Sequence, residues 1–317
     1  QNVVIGDAAA QQATSGGENV IIGANAVGDG VLTASYGVFV GKGAGLKKTS
    51  GDNCVFVGFQ AGEQVTTGQN NTFIGTQAGD DHDTESNNIA IGSAALGGAV
   101  AGGEFNVTVG NDSLDALTSG DYNAFLGHNA GTALTEGDTN TGMGGEARKG
   151  ITTGSNNTCL GVESGTANSP GGNISTGSNT VTIGNSSVAT TNVQVDWTVA
   201  SDKRDKTDVE SINIGLDFVN KLEPVTYHWD KRDKYSDGKP TGEHKEDWLD
   251  IGFLAQDVEV LEEEYGYKKE DKTNLTFNLS EDGEKYGMQY SKFVPILVKA
   301  VQELSAEVKA LKQKIGE

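Results

Sequence analysis

The sequence predicts a mainly β solenoid, a β-roll of about 17-residue repeats over residues 1–184. A neck strand at 185–200 joins it to an α+β domain at 201–317. Three observations predict this. Glycine recurs at a nearly fixed step through the first part. Glycine is also concentrated there, with 37 of the 45 before Ser201 and 8 after it. The C-terminal residues carry an unbroken aliphatic heptad.

The glycines that close each apolar run are Gly6, Gly23, Gly41, Gly58, Gly75, Gly92, Gly110, Gly127, Gly144, Gly161 and Gly184, at steps of 17 or 18 and a last step of 23. A short period held over so much chain means one supersecondary unit stacked on itself. The residue before each glycine is apolar, as in Ile22, Val40, Val57 and Ile74, and the residue two further back is mostly apolar or Thr, as in Val20, Val38 and Val55. Positions two apart share a strand face, so these two rows are expected to line the inside of the coil. The slot between them holds Phe39, Phe56, Phe73 and Phe125. It is expected to point outward and, since a bare row of Phe would be an exposed apolar stripe, to pack on another chain.

Three residues after each glycine stands Ala or Ser, from Ala9 and Ala26 to Ser164 and Ser187. A fixed small residue implies close backbone approach inside a thin coil. Asn71, Asn88, Asn106, Asn123, Asn140 and Asn157 precede the strand, where Asn tolerates left-handed backbone and can hydrogen-bond along a stack. Thr67-Gly68, Ser119-Gly120 and Thr153-Gly154 mark the opposite turn. Each repeat reads as two short strands and two turns, and the coils at about 4.8 Å each give a rod roughly 50 Å long.

The net charge of −21 argues against nucleic acid as a partner, because phosphate contacts need clustered Lys and Arg. It favours solubility of a long particle. Cys54 and Cys159 fall in different slots of the repeat, so no disulfide framework and no cysteine metal site is implied. No calcium-binding nonapeptide recurs, and no cofactor is implied. Asp80, Asp81, His82, Asp83 and Glu85 form an acidic cluster that reads as a solvated turn. Acidic residues elsewhere in the rod are scattered singly, so none is selected as a glycosidase pair. No apolar run nears the about 18 residues of a membrane span. With Gln1 rather than Met in first place, the chain reads as a candidate fragment.

Val193 to Ala200 alternates apolar and polar and reads as the neck strand, with Trp197 packing there. Beyond it, Ile214, Phe218, Val219 and Leu222 share a helix face, and Val225–Trp229 and Ile251–Ala255 read as strands. Gln256–Glu264 reads as a helix, and Leu275, Phe277 and Leu279 as a further strand. Residues 230–247 form a charged excursion. In the last helix, about 291–315, Leu297, Val301, Leu304, Val308, Leu311 and Ile315 are spaced 4, 3, 4, 3 and 4, a seam suited to self-association. Pro295 lies in its first turn, where proline costs no hydrogen bond.

At the boundary of the two parts stands Ser201-Asp202-Lys203-Arg204-Asp205-Lys206. A serine hydroxyl needs a base to become a nucleophile, and a lysine made neutral by burial can serve. Taken alone, such a pair is most often a solvated charged turn. Here Ser-Asp-x-Arg-x-Lys is followed by Pro224-Val225-Thr226-Tyr227-His228-Trp229, then Gly252-Phe253-Leu254-Ala255-Gln256-Asp257-Val258, then the long helix. In that order the motifs resemble, over about 201–317, the C-terminal intramolecular chaperone and auto-protease domain of phage tail spikes and tail fibres, first known from endosialidases. The repeat pattern Asn-x-x-Ile-Gly-x-x-Ala resembles the shorter head repeats of trimeric bacterial adhesins.

The resemblance implies a serine endopeptidase acting once in cis on the bond Ala200–Ser201, with Ser201 as nucleophile and Lys206 as general base. Asp202 and Arg204 match the motif and are read as an ion-paired turn that orients Ser201. Gly252, Phe253, Ala255 and Gln256 match the second motif and imply packing and trimer contact. His228, beside Trp229 on a strand, is read as structural. The resemblance further implies a homotrimer, a host cell-surface receptor of glycan type, no nucleic acid and no membrane insertion. It places the protein in the virion tail, assembled in the host cytoplasm. A tailspike depolymerase acting on surface polysaccharide and a cellular trimeric adhesin are the alternatives. The order of domains has a physical reason: non-local interchain contacts form slowly, and a tail that trimerises first raises the local concentration of the three chains.

Overall fold

The structure, a computed structural model, describes residues 1–98 and 102–316. It divides into two compact units, Gln1–Val188 and Ala189–Glu317.

The first unit is a parallel β-solenoid. Its strands are β1 Val3–Ile5, β2 Val20–Ile22, β3 Val38–Val40, β4 Val55–Val57, β5 Thr72–Ile74, β6 Ile89–Ile91, β7 Val107–Val109, β8 Ala124–Leu126, β9 Thr141–Met143, β10 Thr158–Leu160 and β11 Val181–Ile183. They form one sheet in chain order, and each slot lies on its counterpart in the next coil, as Val38, Phe39 and Val40 lie on Val55, Phe56 and Val57. Among the described residues each coil carries one strand, where two were expected. The rest of the coil cannot stay extended, because the second and fourth residues after the glycine are left-handed, as at Gln60 (φ 56°) and Gly62 (φ 59°). The turns still bond from coil to coil, with Gln60 N–H donating to the Lys42 carbonyl and Gly62 N–H to that of Ala78, both at 2.9 Å.

The expected inside and outside are exchanged. The middle residue of the strand points in: Phe39, Phe56 and Phe73 are fully buried and Phe125 is 2% exposed. The aliphatic residues on either side point out, half-buried at Val38 and Val40 and 46% exposed at Leu126 and Met143. A three-residue strand puts one side chain on one face and two on the other, and this coil has room for one. The room is shared with the residue six positions later. Phe39, Phe56, Phe73 and Phe125 are followed at that distance by Gly45, Gly62, Gly79 and Gly131, whereas Ala90, Thr108 and Gly142 are followed by Leu96, Leu114 and Arg148. A Cβ on Gly62 would fall 2.7 Å from the Phe56 ring. At each of these pairs one large side chain fills the cross-section and its counterpart is small. Phe56 stacks on Phe73 at 5.1 Å and meets Phe39 edge-on at 5.4 Å.

Two ladders fix the coil spacing. Gly58 has φ 145°, and a Cβ there would lie 2.2 Å from the Gly75 carbonyl oxygen, so neither the conformation nor the gap admits a side chain. The buried Asn row forms the second ladder. Asn106 Nδ2 donates to the Gly120 carbonyl at 2.8 Å, and Asn106 Oδ1 accepts from Asn123 N–H at 2.9 Å. Where Cys54 takes the place of Asn, the carbonyl fourteen residues on, that of Gly68, accepts instead from the buried amine of Lys48. Burial pushes the Lys48 pKa down. Both cysteines are free and buried.

The acidic loop is not wholly a solvated turn. His82 is fully buried against Phe73, and Glu85, 5% exposed, accepts from the backbone N–H groups of Asp83 and Thr84. The segment read as a neck strand contains no strand, and Val193, Val195, Trp197 and Val199 are all exposed. Among the described residues it pairs with no strand.

In the second unit, α1 (Leu216–Lys221) precedes β12 (Val225–Tyr227), which pairs antiparallel with β13 (Asp250–Gly252). Then come α2 (Ala255–Glu264), the antiparallel pair β14 (Phe277–Leu279) and β15 (Tyr286–Met288), and α3 (Phe293–Ile315). Ile214, Phe218, Val258, Leu261, Phe293 and Ile296 form the core. Buried Glu262 fastens α2 to the chain entering β14, accepting from Leu275 N–H at 2.6 Å and Thr276 N–H at 2.8 Å. On α3, Glu303 accepts from Leu216 N–H at 2.7 Å and so caps α1. The α3 helix has two apolar faces. One carries Phe293, Ile296 and Ala300 into the core, and the heptad seam from Leu297 to Ile315 stays 43–69% exposed.

Candidate active site

The hexapeptide folds into a 3-10 turn, Lys203–Asp205, capped by Asp202. The Asp202 carboxylate accepts from Arg204 N–H at 2.9 Å and from the Arg204 guanidinium at 2.6 Å through Nη2 and 3.1 Å through Nε. The guanidinium first, and then the backbone N–H, hold the Asp202 carboxyl below its usual range. Backbone bonds from Asp205 N–H to the Asp202 carbonyl and from Lys206 N–H to that of Lys203 close the turn. The chain comes back on itself, and Lys206 Nζ lies 2.6 Å from Ser201 Oγ. Ser201, Asp202, Arg204 and Lys206 thus form one local cluster, with Ala200 on its N-terminal side.

The surroundings differ from expectation in one respect. The lysine was to be neutralised by burial, yet Ser201 and Lys206 are both exposed. A hexapeptide turn has no core of its own, so a dry site would have to come from another surface.

The second motif forms a separate cluster at the foot of α3. Gly252 is buried where a Cβ would fall 2.3 Å from the Tyr290 hydroxyl. That hydroxyl accepts from Phe253 N–H at 3.2 Å, and the Phe253 ring stacks on Phe293 at 5.2 Å. Ala255 is buried at the start of α2 and Gln256 is exposed. His228 pairs through Nδ1 with the Glu246 carbonyl at 3.0 Å, and Trp229 Nε1 donates to Asp250 at 3.2 Å. Tyr290, Glu262 and Glu303 had no place in the sequence reading. Tyr290 offered one signal, an aromatic one turn before Phe293.

Among the described residues no group of His, Cys, Asp and Glu could hold a metal ion, and no helix is long and apolar enough to cross a membrane. The chain thus carries a β-solenoid unit followed by a small α+β unit with a long final helix. Residues 201–282 match the family described as Chaperone of endosialidase. The match begins at Ser201 itself and includes both later motifs, while the solenoid lies outside it. No curated protein and no solved structure matches the chain.

Proposed function

We propose that this chain is the host-attachment segment of a phage tail fibre, assembled as a homotrimer by residues 201–317, which then release themselves by cutting Ala200–Ser201. The observation that carries this is the 2.6 Å approach of Lys206 Nζ to Ser201 Oγ at the first residue of the family match. Lys206, as the free amine, takes the proton of the Ser201 hydroxyl, and Oγ attacks the Ala200 carbonyl. The C–N bond breaks as the Ser201 nitrogen takes a proton and leaves as the new N-terminal amine. Ala200 is then held as an ester on Oγ. Water hydrolyses the ester, leaving the Ala200 carboxylate and restoring the hydroxyl. The exposed turn lacks the dry surroundings that favour a free amine, and assembly of the trimer would supply them, so cutting follows assembly. Cleavage then leaves the fibre kinetically trapped.

The test is a denaturing gel of wild type and Ser201→Ala after folding. Wild type separates into pieces of about 200 and 117 residues, the latter from 317 − 200, and the variant runs as one band. An intact wild type under folding conditions overturns the proposal. Asp202→Ala tests the positioning of the dyad. Loss of the cap and of the Arg204 pair should slow the same cut about tenfold to a hundredfold, the cost of misplacing a reacting group by about 1 Å. A time course unchanged from wild type removes Asp202 from that role.

A further inference from the structure

One row of side chains on the solenoid turns is strained and lies outside the core. It is the residue just before the buried Asn row, left-handed in every coil from Tyr36 to Asn179, with φ between 55° and 63°. In five of these coils it is Asn, which tolerates this conformation. The amides link along the row, as Asn70 Nδ2 donates to Asn87 Oδ1 at 3.1 Å. Tyr36, Phe105 and Tyr122 take the position in three coils, although a bulky side chain is an outlier there. They are 58%, 42% and 58% exposed, so the solenoid interior does not need them. Backbone strain that the core does not demand is a pointer to a ligand site. Phe105 and Tyr122 stand in successive coils and stack face to face, 4.9 Å apart and 3° from parallel. Coils are about 4.8 Å apart, so the stack runs along the rod and the far face of Tyr122 looks toward the next coil. There the row holds Thr139, too short to cover an aromatic ring. Asn156 follows one coil later, about 9.6 Å from Tyr122, a step that admits one further ring in the stack.

We infer that the Tyr122 ring is the platform of a sugar-binding subsite, whose ligand is a neutral hexopyranose seated over Thr139 between Tyr122 and Asn156. The inference rests on the attachment reading above and names the chemistry of what is attached. A pyranose has a face of C–H groups, which the negative face of an aromatic ring attracts. It also has a rim of hydroxyls, which need polar partners at the height of the ring. Thr139 and Asn156 supply a hydroxyl and an amide, and both residues are exposed. Asp121 and Asp138 stand beside Tyr122 and Thr139 in the chain. Each accepts a backbone N–H from one coil back through Oδ1, from Glu104 at 2.7 Å and from Asp121 at 2.8 Å. These bonds hold the two carboxylates in line along the row, where they accept sugar hydroxyls in strong, charge-assisted bonds. The same carboxylates select the charge of the sugar. An acidic sugar would meet Asp121, Asp138 and the exposed Glu136 in a chain of net charge −21, and is repelled. A purely aromatic ligand would use the ring and leave the line of acceptors without donors.

The test is saturation-transfer NMR on the full chain with the methyl glycosides of glucose, galactose and mannose, and with N-acetylneuraminic acid as the acidic sugar, each at millimolar concentration. Light scattering reports the mass in solution. The inference expects transfer to the C–H protons of a neutral glycoside and none to N-acetylneuraminic acid. Tyr122→Asn puts in place the residue that five other coils carry, so the coil keeps its fold, and affinity falls about tenfold, the worth of one aromatic contact. Tyr122→Phe keeps the ring and keeps the binding. Transfer to a neutral glycoside that survives Tyr122→Asn overturns the subsite and leaves attachment through sugar standing. Transfer to N-acetylneuraminic acid alone overturns the subsite's charge selection and also leaves attachment standing. A lower mass for Tyr122→Asn makes the stack an assembly contact and overturns the inference. No transfer to any of the four sugars overturns it together with attachment through sugar, while the cleavage gel decides the self-release separately.

Discussion

Phe56→Ala should cost the solenoid about 3–5 kcal/mol, the range for removing a large buried aromatic, and lower its thermal midpoint accordingly. Phe56 is fully buried between Phe39 and Phe73 and contacts both rings, so its loss opens a cavity across three coils. In a solenoid the terms joining neighbouring coils carry the stability, and this one residue weakens two of them. Gly62→Leu should also destabilise, by about 1–3 kcal/mol or more, because its first side-chain atom would lie 2.7 Å from the Phe56 ring. The pair Phe56→Ala with Gly62→Leu should cost about 2 kcal/mol less than the sum of the two, since residues competing for one space do not add. The protein already contains that arrangement two coils further on, where Ala90 faces Leu96 with φ 54° at the leucine. The check is a double-mutant cycle read by chemical denaturation. Additive costs would mean that the two positions do not share one space.

The same pairing explains what was and was not legible beforehand. The coil period, the glycine row and the small residue after it could be counted, because each reflects a backbone contact repeated in every coil. The direction of the strand could not be read from hydrophobicity, since Val38, Phe39 and Val40 are all apolar and either face could have been the inner one. The deciding signal was in the sequence but outside the strand, in the alternation of Phe with Gly six residues later and of Ala, Thr or Gly with Leu or Arg. Lys48 was hidden in the same way. Its burial makes sense only once Cys54 is seen to interrupt the Asn ladder and leave the Gly68 carbonyl without its usual donor.

At the hexapeptide the motif gave the residues, and its local turn gave their approach. Six residues contain everything needed to bring Lys206 onto Ser201: a cap at Asp202, an ion pair to Arg204 and one 3-10 turn. Exposure of the pair was not legible, because burial depends on what lies over the turn. The Val193–Val199 segment differs from expectation for a related reason: alternation reports a strand-like pattern, but a strand needs a partner, and among the described residues of this unit the segment pairs with none.

His82→Leu should stabilise the solenoid at every pH, and its advantage over wild type should grow as the pH falls. His82 fills a slot that holds Val65, Leu117, Leu134 and Ile151 in other coils. It is fully buried, its ring meets Phe73 edge-on at 5.1 Å, and neither ring nitrogen has a hydrogen-bond partner. Near pH 7 leucine removes the cost of an unpaired buried polar group, about 1–3 kcal/mol. Burial also pushes the His82 pKa from 6.5 down to about 3. Between those values the unfolded chain binds a proton that the folded one refuses, so wild-type stability drains away as pH falls through this window. From pH 6.5 to about pH 4.5 that loss is about 3 kcal/mol, at 1.36 kcal/mol per unit. Asp80 in the same loop acts in the opposite sense. Burial first, and then the charge of Asp81, raise its pKa to about 6, so the folded chain gains from protonation between about 3.8 and 6. Half-exposed, Asp80 offsets only part of the histidine term, and it is present in both proteins, so the difference between them isolates His82. Denaturation midpoints of the two proteins near pH 7 and pH 4.5 check this. A gap between them that stays constant over that range would show that the imidazole finds a proton partner inside the coil.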